Sequence, residues 1–132
     1  MTVVVDASHV VAALADTGVA GEWARTELAA GALAAPHLMP VEVANVLRRQ
    51  AAAGELSSDN ASMAHADLVA LPVELFPYQP FARRVWELRQ NVTAYDAWYI
   101  AIAESLDAPL LTLDHRLASA PGLRCRIVTP ST

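Results

Sequence analysis

Short, uninterrupted apolar runs that end on an acid, alternating with longer stretches of helical length, constrain this chain more than any other feature. Val3-Val4-Val5 runs into Asp6, and Leu110-Leu111-Thr112-Leu113 runs into Asp114. Apolar runs of this length with no polar alternation read as strands buried on both faces. A carboxylate at the mouth of such a strand costs desolvation energy unless something pairs with it. The two acids are therefore as much a part of the pattern as the valines and leucines before them.

The rest of the chain fills in a strand-helix alternation. Ser8 is a candidate cap for a helix through Leu14 that stops near Asp16-Thr17-Gly18. A second helix is expected over Ala20 to Ala30, with Gly31 closing it, followed by a strand at Leu33-Ala34-Ala35 that ends on Pro36. Pro40 suits a helix start, and Val41 to Ala53 continues it to Gly54. Ser57 or Ser58 caps a helix to Leu71, and Val73 to Phe76 is a third strand. Phe81 to Arg89 and Thr93 or Ala94 to Leu106 are helical, the latter the longest apolar helix. Leu110 to Leu113 is a fourth strand, with a short helical turn at Arg116 to Ser119 and a fifth strand at Arg126 to Val128. Such alternation predicts an α/β fold with a parallel sheet covered on both faces and right-handed crossovers. A length of 132 residues fits one domain spanning the whole chain.

Two further acids fall in telling positions. Glu42 and Asp96 open the helical stretches Val43-Ala44-Asn45-Val46-Leu47 and Ala97-Trp98-Tyr99-Ile100-Ala101-Ile102-Ala103. Ligands of open α/β sheets bind beyond the carboxyl ends of the strands. Asp6 and Asp114 each follow a strand, and helices that follow parallel strands start at the same edge, so all four acids are expected to converge there. Taken singly, each has a plainer reading: Asp6 or Asp114 as a cap, Glu42 as a first-turn residue complementing the helix dipole. Taken together they repel one another, and crowded carboxylates share protons or recruit a cation. All nine basic residues are arginine, so no lysine supplies the counter-charge. A hard divalent cation with oxygen ligands, Mg²⁺ or Mn²⁺, is the economical solution, and hydrolysis of a phosphodiester is the chemistry it fits.

Composition narrows the classes further. The net charge of −5 gives no sign of indiscriminate binding to polyanions, although local arginine placement matters more than the sum. The single cysteine, Cys125, excludes an intramolecular disulfide framework, reads as a small buried residue and favours a reduced, cytoplasmic location. Met1-Thr2-Val3-Val4-Val5-Asp6 does not read as a signal peptide, and no run approaches the ~20 apolar residues that a membrane helix needs.

The ordered set Val4-Val5-Asp6-Ala7-Ser8, Pro40-Val41-Glu42-Val43-Ala44-Asn45-Val46-Leu47, Thr93-Ala94-Tyr95-Asp96-Ala97-Trp98-Tyr99-Ile100-Ala101-Ile102-Ala103 and Leu111-Thr112-Leu113-Asp114 resembles the PIN-domain family, and within it the VapC-type toxins of toxin–antitoxin modules. The resemblance covers essentially the whole chain. It implies a PIN-like three-layer α/β/α fold with a central five-stranded parallel sheet, and a Mg²⁺-dependent endoribonuclease that leaves a 5′-phosphate and a 3′-hydroxyl. Asp6 and Asp96 match the principal metal ligands, and Glu42 and Asp114 the remaining catalytic acids. Ser8 and Thr112 match hydroxyls that orient carboxylates. Asn45, one turn after Glu42, faces the same site. Arg116 stands where some relatives carry another acid, which leaves the number of ions open; it meets a phosphate or lies in solvent. The resemblance further implies an RNA substrate, a homodimer, and inhibition by a VapB-type antitoxin laid in a groove. Val10, Val11, Leu14, Trp23, Val43, Val46 and Leu47 are the candidates for that groove, at least half of them ordinary core.

Other residues carry weaker signals. Arg48 and Arg49 lie about two turns beyond Glu42, at RNA phosphates or on a solvated face, and Arg83, Arg84 and Arg89 share a helix with Trp86, which reads as core. None of His9, His37, His65 and His115 has metal-ligand spacing. Two rival functions remain: a catalytically inactive module acting only by partner or RNA binding, separated by RNA cleavage with and without EDTA, and a phosphoacceptor receiver-like domain, which would want a lysine at a late strand end.

Overall fold

The computed structural model describes residues 1–131. Five strands, β1 (Thr2–Val5), β2 (Ala32–Pro36), β3 (Val73–Phe76), β4 (Leu110–Leu111) and β5 (Ile127–Val128), form one sheet in the order β3-β2-β1-β4-β5. Every pairing is parallel, with Val4 opposite both Ala34 and Leu110. Six α-helices connect them: α1 (Ala7–Ala15), α2 (Val19–Ala29), α3 (Met39–Ala52), α4 (Ser58–Ala70), α5 (Ala82–Glu87) and α6 (Ala94–Leu106). The expected parallel α/β architecture is present. α1 to α4 pack on one another, while α5 and α6 form a second group in which α6 lies across β1, β2 and β4.

The strand order explains why the sheet has one privileged edge. The chain runs outward from β1 through β2 to β3, then returns through α5 and α6 to lay β4 on the other side of β1. The direction of winding reverses between β1 and β4, and this is where doubly wound sheets open a crevice at their carboxyl ends. Val3, Val4 and Val5 are buried in the middle of this sheet, as are Leu110 and Leu111. α6 lies over them, its apolar run Ile100-Ala101-Ile102-Ala103 buried all round.

Several elements differ from the sequence-based expectation for identifiable reasons. Asp6, not Ser8, caps α1: its backbone is extended (φ −89°, ψ 172°) and its side chain accepts from the His9 N–H. Ser8 is thereby freed to act as a side-chain donor within the first turn. β4 ends at Leu111 rather than Leu113, because the Leu113 and Asp114 amides turn to the Ser8 and Thr112 hydroxyls. The helix expected over Phe81 to Arg89 is a 3₁₀ turn (Gln79–Phe81) followed by the six-residue α5. Trp86, expected in the core, is 66% exposed, with the Arg89 guanidinium 4.8 Å from its ring centroid. Arg84 is bound to Glu104 and to the Gly122 carbonyl, tying α5 to α6 and the C-terminal loop, so the three arginines do not form one free patch. Cys125 is half-buried rather than buried, and burial pushes its thiol up to about 11.

α1 and α2 are held at close range by three features. A methyl group on Gly21 would sit 1.9 Å from the Asp16 carbonyl oxygen, so only glycine allows the approach. Arg25 reaches back to the Ala13 and Asp16 carbonyls and satisfies the end of α1. His9 is fully buried, stacks on Trp23 and places Nε2 2.8 Å from the Ala24 carbonyl oxygen, which can only accept, so that nitrogen carries the proton.

Burial pushes the His9 imidazole down to about 4 from an ordinary value of 6.5. A lowered folded value means that His9 contributes stability above pH 6.5 and loses it as the pH falls toward 4. Urea denaturation near pH 7 and near pH 4 should show the unsubstituted protein losing roughly 3 kcal/mol more across that interval than His9→Gln.

Candidate active site

The carboxyl edge of the sheet beside the β1–β4 junction is organised around Asp6, which is only 9% exposed. Its Oδ1 accepts from the Ser8 hydroxyl at 2.6 Å and from the His9 amide at 3.0 Å, and its Oδ2 accepts from the Thr112 hydroxyl. Both hydroxyls are doubly used: Ser8 Oγ accepts from the Leu113 N–H at 3.1 Å and Thr112 Oγ1 from the Asp114 N–H at 3.0 Å. The turn after β4 is thus stitched to the end of β1. A carboxylate offers about four acceptor sites, and three are taken by protein donors.

Asp96 lies in the first turn of α6, where Thr93 caps the helix through the Asp96 amide at 3.1 Å. Glu42 lies in the first turn of α3, and the Tyr99 hydroxyl donates to its Oε1 at 2.7 Å. Burial pushes the Asp6 carboxyl up, against the pull of its three donors, with the Asp96 charge adding to the rise. Burial likewise raises Glu42, opposed by the Tyr99 bond and reinforced by Asp6 and Asp96. Asp96 is raised by burial and then by Asp114. Asp96 thus acts on Asp6 and Glu42, Asp6 on Glu42, and Asp114 on Asp96.

Asp114 behaves differently. It caps the 3₁₀ turn His115–Ser119, and its two oxygens accept from Arg116 Nε and Nη2, both at 3.1 Å. The guanidinium holds the Asp114 carboxyl below the usual range. Of the two places left for Arg116, it takes the solvent: its side chain is 91% exposed, leaning back on Asp114. Asn45 is exposed and accepts from Arg48 at 3.1 Å.

Among the described residues, no three His, Cys, Asp or Glu side chains form a ready-made metal cage. The donor set still suits a hard cation, since every candidate group is an oxygen and the buried acids disfavour one another's charge. Magnesium asks for one or two protein carboxylates and fills its remaining positions with water and substrate phosphate oxygens. Asp6 and Asp96 are the residues that could hold such an ion.

Tyr99 escaped the reading from sequence as a site residue. The available signal was its place three residues after Asp96, on the same side of the helix, as the polar-tipped member of an apolar run. A groove of about 460 Å³ adjoins the site, lined by Ser8, Val11, Val46, Leu56 and Leu113 among others. Of the groove candidates, Val11 and Val46 line it, whereas Val10, Val43 and Leu47 are core and Trp23 packs on His9.

Residues 3–123 match the PIN domain family. Ribonuclease VapC1 of Mycobacterium tuberculosis is 46% identical over 125 residues, covering 94% of this chain and 94% of that protein. PAE2754 from Pyrobaculum aerophilum superposes with a TM-score of 0.70 at 25% identity, over 96% of this chain and 83% of that one. VapBC2 from Rickettsia felis, solved bound to a DNA fragment from its promoter, superposes with a TM-score of 0.66 at 12% identity, covering 98% of each chain. The chain belongs to the PIN-domain family, among the VapC ribonucleases.

Thr112 is fully buried, and Thr112→Val keeps its shape while removing both of its bonds. The Asp6 oxygen and the Asp114 amide lose their partners, so urea denaturation should show a loss of about 1–3 kcal/mol. Asp96→Asn should act in the opposite direction. A carboxyl raised on folding contributes stability below its unfolded value of 3.8 and loses it as the pH rises through the folded value. At neutral pH and without divalent metal, Asp96→Asn should therefore stabilise the protein by about 0.5–2 kcal/mol, and near pH 3 it should not.

Proposed function

We propose that this chain is the endoribonuclease toxin of a toxin–antitoxin module, hydrolysing RNA phosphodiester bonds with the aid of Mg²⁺ or Mn²⁺. What supports this reading is that Asp6 follows β1 while Glu42 and Asp96 lie in the first turns of α3 and α6, each carboxyl raised by burial and by the charge of another acid. The close kinship with a ribonuclease over nearly the full length supports the same reading. Asp6 and Asp96 would hold the ion, whose chemistry is the activation of water and the neutralisation of charge on the phosphate. Asp6 is suited to the task because Ser8, His9 and Thr112 fix its rotamer beforehand. Glu42, anchored through one oxygen, accepts the proton of the attacking water on the other. Asp114, paired with Arg116, is close enough to Asp96 for its charge to raise that carboxyl.

The adjoining groove suits a short apolar segment of a VapB-type antitoxin, a partner supported by the kinship with VapC proteins and the likeness to VapBC2. Ser8 and Leu113 belong both to the groove wall and to the network around Asp6, so a segment seated there would abut the site directly. On the same kinship we propose a homodimer and a larger assembly with the antitoxin. No helix among the described residues is long and apolar enough to cross a membrane.

Labelled RNA should be cleaved in Mg²⁺ or Mn²⁺, spared in EDTA, and cleaved again when the ion is restored. Asp6→Asn and Asp96→Asn should fold and leave the RNA intact; full activity in either would overturn the assignment. Millimolar Mg²⁺ should raise the melting temperature of the unsubstituted protein, as any ligand specific to the folded state does, and leave that of Asp96→Asn nearly unchanged.

A further inference from the structure

We infer that Tyr99 is a positioning residue for the reaction: its phenol pins one oxygen of Glu42 and leaves the other as the only one free to meet the attacking water. The inference deepens the proposed nuclease reading and rests on it. Tyr99 is 3% exposed, its ring packed in the main core, so its hydroxyl has little freedom to move. The bond to Glu42 spans 57 residues and joins the first turn of α3 to α6, the helix that carries Asp96. At 2.7 Å it lies where ordinary and charge-assisted O–H···O bonds overlap in length.

Two features distinguish this bond from a tie between helices alone. Glu42 receives no other side-chain or backbone donor among the described residues, so without Tyr99 its long side chain would sample several rotamers. The phenol is a donor at every working pH, because burial and the charges of Glu42 and Asp6 push its ionisation far up. The phenol therefore holds the Glu42 carboxylate in one place from within the core.

The test is a cycle of four proteins: unsubstituted, Tyr99→Phe, Glu42→Ala and the double variant. Tyr99→Phe should lower kcat for RNA cleavage about 10- to 100-fold with KM unchanged, the size typical of losing a group that orients a catalytic ligand. In the Glu42→Ala background the same change should cost nothing further, because Tyr99 acts only through Glu42. Urea denaturation of the four proteins gives a readout independent of activity and should show coupling between the two positions. An unaltered kcat in Tyr99→Phe, an equal loss with and without Glu42, or zero coupling in urea each refutes the inference. An unsubstituted protein that cleaves no RNA in either metal refutes the nuclease reading, and this role with it.

Discussion

The Asp6 carboxylate is the interaction on which the functional edge depends. It lies almost out of contact with water at the end of the central strand, where an unpaired charge would be costly. Its three donors come from the first turn of α1 and from the turn after β4, so one group caps a helix and closes the junction between β1 and β4. The Ser8 and Thr112 hydroxyls pass the constraint on to the Leu113 and Asp114 amides. The carboxylate at the switch point is thus a structural clamp as well as a candidate ligand. Its orientation is inherited from the fold rather than imposed by whatever binds there.

A clamp of this kind does not remove the electrostatic tension around it. Asp6, Glu42 and Asp96 each sit where burial favours the protonated form, and the charges of their neighbours push in the same direction. A fold optimised only for stability would replace at least one of them, and natural proteins retain such conflicts where function needs them. Placing the conflict at helix N-termini softens it, since the helix dipole favours negative charge in the first turns of α3 and α6. The Tyr99 phenol eases Glu42 further. What remains is a cluster of acids whose charge the fold tolerates but does not fully relieve.

Much of this was legible in the sequence, and the parts that were not share a cause. Runs such as Val3-Val4-Val5 and Leu110-Leu111 announce buried parallel strands because both faces must be apolar, and the acids after them announce the edge. The cap of α1 was misplaced because Asp6 and Ser8 both suit the role, and only the extended backbone at Asp6 decides between them. Trp86 was misplaced because α5 has just six residues, too few for periodicity to tell its inner face from its outer one. The Tyr99–Glu42 bond was out of reach for a different reason. Nothing local in either helix specifies a partner 57 residues away, and the pairing exists only once the sheet sets α3 beside α6.

Two arginine–carboxylate pairs of nearly the same chemistry show how location decides what such a pair does. Arg84 and Glu104 are 19% and 10% exposed, meet through two bonds of 2.7 and 3.1 Å, and share partners in the C-terminal loop. Releasing either would leave a poorly hydrated charge and one unpaired backbone group, so the pair acts as a rivet between α5, α6 and that loop. Arg116 and Asp114 also meet through two bonds, both of 3.1 Å, yet the guanidinium is almost wholly in water. Solvent screens their attraction, and the arginine loses little by turning elsewhere. Asp114 is therefore neutralised without being committed. Of the four acids read from the sequence, it is the one whose partner can turn away without disturbing the core.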